Sequence, residues 1–247
     1  MREMTETVKQ LIIINIIFFI GTQLVGDVAY KFLSLYYPEN PNFRFWQPLT
    51  HMFMHGNFMH IFFNMFALYS FGVTLEQFWG SKKFLFFYIS CGLGSALIHI
   101  ASNYYFFHEG LNTLVAEGIN KNEIIQILGQ EKFSSQWQEI LVGSNFESFI
   151  SAFVTPAVGA SGAIYGILVA FAYMFPDAEL MMMFIPVPIK AKYFVPAIVG
   201  LDLFSGVTGF SVFGGGIAHF AHVGGAIVGF LMMWYWKKNQ FHSNRWN

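Results

Sequence analysis

The chain has 247 residues, 55% of them hydrophobic and 11% charged, where ordinary soluble domains carry about a quarter charged residues. The formal charge of -1 offers no basic surface, which excludes nucleic acid as a partner. A single cysteine, Cys91, excludes an internal disulfide framework and a cysteine-based zinc site, and in its apolar run it reads as a packing residue.

Residues 10–29 form the first apolar segment. Leu11–Ile20 has the length of a signal-peptide core, but the apolar character continues to Ala29 and Glu3 and Glu6 flank it. No small-residue cleavage site is clear, so the segment reads as a retained span. Further apolar runs follow at 58–78, 84–107, 160–175, 193–213 and 217–236. A bilayer core of about 30 Å needs roughly 20 apolar residues per helix, and these runs are too long for the strands of a barrel. The expectation is an all-α, polytopic membrane protein with six transmembrane helices, organised as a single domain over 1–247.

Between the third and fourth runs, residues 108–150 carry six Glu and two Lys. Leu111–Leu128 and Gln136–Leu141 space apolar residues at helical intervals, which predicts short amphipathic helices at the outer interface. With the N-terminus inside, nine cations fall on the inner face (Arg2, Lys9, Lys82, Lys83, Lys190, Lys192, Lys237, Lys238 and Arg245). Four fall outside: Lys31, Arg44, Lys121 and Lys132. That asymmetry predicts both termini in the cytoplasm, and the plain six-span layout suits a bacterial cell membrane.

The fourth run is short. Starting at Ser161 and ending before Pro176, it covers about 21 Å at about 1.5 Å per residue, so its outer end lies below the outer surface. Irregular backbone at that depth is tolerated only beside protein or a water-filled cavity, which the Gly159-Ala160-Ser161-Gly162 turn must therefore face. His222 lies 14 residues before Trp236, Asn64 14 before Phe78, and Ser161 14 before Phe175. Three helices thus hold rare polar residues at one level, with His60 a turn above Asn64. Polar groups inside a membrane are costly and mark candidate functional sites.

A serine hydroxyl needs a base, and histidine is the usual one near neutral pH. At the start of a helix, Ser161 also has backbone N–H groups without partners, able to hold an oxyanion together with side-chain donors from His60 and Asn64. Gly159 and Gly162 allow close backbone approach. Each feature alone has a plainer reading. A serine among glycines is commonly a cap, and Gly225 with Gly229 is a helix-packing pair. Asp202 reads as a buried hydrogen-bonded or pore-facing acid and not as a third catalytic member, His219 as a rival base one turn before His222, and His51 with His55 as structural or cavity-mouth histidines lacking a third metal ligand.

In combination these residues resemble the rhomboid family of intramembrane serine proteases, from the first span to the last apart from the 108–150 insertion. Gly159-Ala160-Ser161-Gly162 is similar to the family's GxSG, which implies Ser161 as nucleophile. The stretch from His222 to Gly229 is similar to HxxGxxxG, which implies His222 as base with Tyr165 stacked beneath it. His60-Ile-Phe-Phe-Asn64 is similar to HxxxN, which implies oxyanion stabilisation. Where the family has Trp-Arg in the first outer loop, this chain has Trp46-Gln47. The resemblance implies a Ser–His dyad, no metal or cofactor, and transmembrane proteins as substrates within the bilayer. The alternatives are a catalytically silent relative that binds membrane proteins, which would have lost Ser or His, and a transporter, which would show inverted repeats.

Overall fold

The structure is a computed structural model and describes residues 3–182, 185–210 and 218–239. Arg2 and Arg245, both counted in the charge asymmetry, lie outside the described residues, as do the end of the expected 193–213 run and the first residue of 217–236.

Helix α1 (Glu6–Val25) stops at Gly26, whose φ of 73° breaks the expected 10–29 run, and α2 (Asp27–Leu33) follows. A short α3 (Gln47–Thr50) and a 3₁₀ turn (His51–Phe53) come next. Asn57 caps α4 (Phe58–Ala67) by accepting from His60 N, and a π-helical turn at Leu68–Gly72 carries it into α5 (Val73–Trp79). Beyond Gly80, helix α6 runs for 36 residues, Ser81–Ala116, about 54 Å at the usual rise. It passes nine residues beyond the expected end of the 84–107 run: no proline intervenes, Gly110 is held in the helix against Phe149, and Gly118 beyond its end adopts φ 87°.

Among the described residues, three helices are long and apolar enough to cross a membrane: Glu6–Val25, Phe58–Trp79 and Ser81–Ala116. Many of their large apolar side chains, including Ile17, Leu24, Phe58 and Leu97, are more than half exposed. Such a surface is tolerable in lipid and a liability in water.

The segment after α6 forms short helices, as expected, and they pack on one another and on α6. Leu111 and Leu114 belong to α6 itself, and α7 (Lys121–Gly129), α8 (Ser135–Ile140) and α9 (Ser144–Val154) fold back on its last turns. Together they bury a separate core of Phe107, Leu111, Leu128, Trp137, Phe149 and Phe153, with Tyr37 reaching in from the first connection. A Leu35–Ala157 bridge and a 2.8 Å bond from Asn40 Nδ2 to Phe153 O fasten the first connection to this unit.

Helix α10 (Ser161–Met174) is apolar but only 14 residues long, and it packs against α6 and the last helix. A two-stranded antiparallel hairpin, β1 (Glu179–Met182) with β2 (Ile185–Lys190), links it to α11 (Ala191–Thr208), and α12 (His219–Asn239) ends the described chain.

Gln47 takes an anchoring part in the first connection. Fully buried, it accepts from Tyr36 N at 3.2 Å and donates to Asn42 O at 2.9 Å and Lys31 O at 3.3 Å. Its neighbour Trp46 donates from Nε1 to Phe32 O at 2.9 Å.

Candidate active site

Glycine decides how α10 meets α12. A Cβ on Gly225 would run into the Gly162 carbonyl oxygen, and one on Gly229 would lie 2.7 Å from Gly166 Cα. A Cβ on Gly162 would in turn run into Ser95 of α6. The two backbones therefore touch directly, as small-residue pairs allow between apolar helices. That contact brings the first residue of α10 beside the first turn of α12.

His222 Nε2 consequently lies 2.8 Å from Ser161 Oγ. The imidazole stacks on Tyr165, with ring centroids 4.3 Å apart and planes 14° from parallel. On its other side, Nδ1 lies 3.2 Å from Asp202 Oδ1, and Tyr165 donates its hydroxyl hydrogen to Asp202 Oδ2. His219 does not reach Ser161 by any hydrogen bond among the described residues; its Nδ1 lies 2.5 Å from Asp202 Oδ1. Of the two roles expected for Asp202, buried hydrogen-bonded or pore-facing, the structure shows the first, with partners that the sequence did not reveal.

Gly159 turns the chain into α10 at φ 126°, a conformation closed to most side chains, and its N–H donates to His51 O at 2.9 Å. A Cβ there would meet His60 Nε2 at 2.8 Å, so the His60 ring borders the turn in front of Ser161. Gly56 N–H approaches His60 Nδ1 at 3.4 Å, which makes Nδ1 the acceptor and leaves the ring hydrogen on Nε2, beside that turn. Among the described residues no side chain caps the N-terminus of α10, so its opening N–H groups keep their donor capacity. Asn64 is buried and gives one amide hydrogen to His60 O at 2.8 Å, leaving a second.

His51 and His55 pack around this cluster. His51 is buried, with Nδ1 3.0 Å from Gln47 O. His55 is fully buried edge-on to His60, and burial holds its imidazole down at about 3, so it is neutral. Among the described residues no group of three or more His, Cys, Asp or Glu is arranged to hold a metal ion.

The Rhomboid domain family matches residues 42–116 and 106–239. The chain belongs to the rhomboid family. Relatives of this rhomboid include the mouse presenilin-associated rhomboid-like protein, mitochondrial, 33% identical over 144 residues, or 56% of the chain and 36% of the relative. Rhomboid protein 1, mitochondrial, of Saccharomyces cerevisiae is 27% identical over 186 residues, 75% of the chain and 40% of the relative. Rhomboid protease AarA of Providencia stuartii is 28% identical over 194 residues, 76% of the chain and 54% of the relative. The matched part is thus between about a third and about half of these relatives. Rhomboids are membrane proteins, and the family includes proteases, as the Providencia relative's name records.

Proposed function

We propose that this rhomboid is an intramembrane serine endopeptidase that cleaves transmembrane segments of other membrane proteins near the outer face. The observation that carries the reading is the 2.8 Å contact between His222 Nε2 and Ser161 Oγ, with the imidazole held flat on Tyr165. In this reading α1, the joined α4–α5, α6, α10, α11 and α12 are six transmembrane helices, and the 117–154 unit lies outside. The lysine and arginine asymmetry puts both termini on the cytoplasmic side, here that of a bacterial cell membrane.

His222 Nε2 takes the Ser161 proton as Oγ attacks the peptide carbonyl. The developing oxyanion sits among the Ser161 N–H, His60 Nε2–H and the free Asn64 amide hydrogen, and a well-placed donor of this kind is worth about 3–4 kcal/mol. His222 then gives the proton to the leaving amine. Water, activated by the same imidazole, hydrolyses the acyl-enzyme. Gly159, bordering His60 and Ser161 Oγ, leaves room for the substrate backbone, while Gly162 serves the packing of α10 against Ser95 and α12.

The test is cleavage of a single-span substrate in liposomes by wild type, Ser161→Ala and His222→Ala, together with labelling by a fluorophosphonate. Wild type alone is expected to give product and to label at Ser161. A folded wild-type protein that neither cleaves nor labels would overturn the reading and favour a silent membrane-protein binder.

A further inference from the structure

Asp202 is 3% exposed on α11, and three donors from two other helices converge on its carboxylate. Oδ1 faces His219 Nδ1 at 2.5 Å and His222 Nδ1 at 3.2 Å, while Oδ2 accepts from the Tyr165 hydroxyl. A buried carboxylate is expensive unless it is paired and hydrogen-bonded, and the same shape could be filled by an apolar side chain.

We propose that Asp202 is the positioning residue for His222, joining Ser161, His222 and Asp202 into one hydrogen-bonded chain; the proposal rests on the serine-protease reading above. A neutral imidazole carries one hydrogen on one of two nitrogens. An ionised carboxylate only accepts, so it fixes that hydrogen on Nδ1 and leaves the Nε2 lone pair facing Ser161 Oγ. Without the carboxylate, nothing on this side opposes the other tautomer, which presents N–H to Ser161 and cannot take its proton. During attack the proton passes from Ser161 Oγ to His222 Nε2 and goes no further. Asp202 stays ionised beside the imidazolium.

Tyr165 acts on two members at once, its ring under His222 and its hydroxyl on Asp202. One side chain therefore sets the relative height of base and acid. His219 draws on the same Oδ1 at the shorter distance, so it holds the carboxylate from the far side and His222 is the more weakly bound partner.

The experiment compares wild type with Asp202→Asn in liposomes, measuring kcat, KM and the rate of fluorophosphonate labelling. Asp202→Asn is expected to lower kcat and labelling together by ~10²–10⁴-fold, with KM within about threefold. A folded Asp202→Asn with wild-type kcat overturns the proposal and leaves the protease reading standing. Failure of wild type to cleave and to label refutes that reading instead. Should Asp202→Asn not fold, wild-type protein carrying ¹⁵N-histidine decides. The signal lost in His222→Ala must report hydrogen on Nδ1; hydrogen on Nε2 overturns the proposal.

Discussion

Glu76, in the last turns of α5, is 4% exposed and directs both carboxylate oxygens at the beginning of α1. Oε1 accepts from Thr7 N at 2.9 Å and Ser81 Oγ at 2.7 Å; Oε2 accepts from Val8 N at 2.9 Å and Thr5 Oγ1 at 2.5 Å. The first N–H groups of a helix have no partner within it, and Thr5 offers α1 no side-chain cap, so a residue 68 positions away supplies one. Replacing Glu76 by Ala removes four bonds to a charged acceptor, each worth about 1.5–3 kcal/mol singly. Bonds to one carboxylate do not add in full, and water reaches part of the exposed gap, so the expected loss is ~3–5 kcal/mol. Glu76→Gln keeps one accepting oxygen but turns an amide towards a backbone N–H, for a loss of ~2 kcal/mol. Denaturation in detergent micelles, followed by circular dichroism, measures both. Cleavage per folded molecule should change less than about threefold, because Glu76 lies twelve residues, or about 18 Å, along the helix from Asn64. An alanine variant within 1 kcal/mol of wild type, or a Gln variant weaker than Ala, would refute the capping account.

Gly159→Ala should fold but lose at least ~10-fold in cleavage rate, since the added carbon needs an unfavourable φ and displaces His60; a wild-type rate would argue against the turn's role. Gly225→Val should separate α10 from α12 and cost at least ~3 kcal/mol, with activity lost in whatever folds, readable by micelle denaturation and labelling. Gln47→Ala should cost ~2–3 kcal/mol and open the first connection to limited proteolysis, because Tyr36 N and Asn42 O lose a buried partner. Burial holds the His51 imidazole down at about 4, against an ordinary value of 6.5. The unfolded chain therefore binds the extra proton between those values, so stability should fall as pH drops from about 6.5 to 4, by up to ~3 kcal/mol. His51→Gln should flatten that slope, and an unchanged slope would assign it to other groups.

The pairing of Ser161 with His222 was legible because polar residues inside apolar runs are few, and because α10 is too short to lift its serine to the surface. Gly225 and Gly229 pointed to close helix contact, although their counterparts Gly162 and Gly166 emerge only from the packing. The partners of Asp202 were not legible. Its distance from His222 depends on how α11 is rotated, and α11 buries Ala191, Val195, Asp202 and Ser205 without a contrasting polar face. The shared core of the unit after α6 was not legible for a related reason. Amphipathic spacing says which face of a helix is apolar, not whether that face meets lipid, another helix or both. Phe107, Trp137 and Phe149 close over one another, so the apolar faces cover themselves. Gln47 shows the converse limit: an amide can hold a loop as a guanidinium would, which depends on nearby carbonyls and N–H groups that a linear motif does not display.

The shortness of α10 acts as a ruler. In the proposed six-span arrangement its 14 residues would raise Ser161 about 21 Å, some 9 Å short of the far edge of a 30 Å hydrocarbon layer. On the proposed protease reading, a protein cut at Ser161 would be measured from the membrane surface inward. The 9 Å corresponds to about six residues of a helical substrate but only about three once it is extended. Two substrates with unlike sequences and equal ease of unwinding would be cut at similar depths, while one sequence moved a turn along its span would change from substrate to bystander.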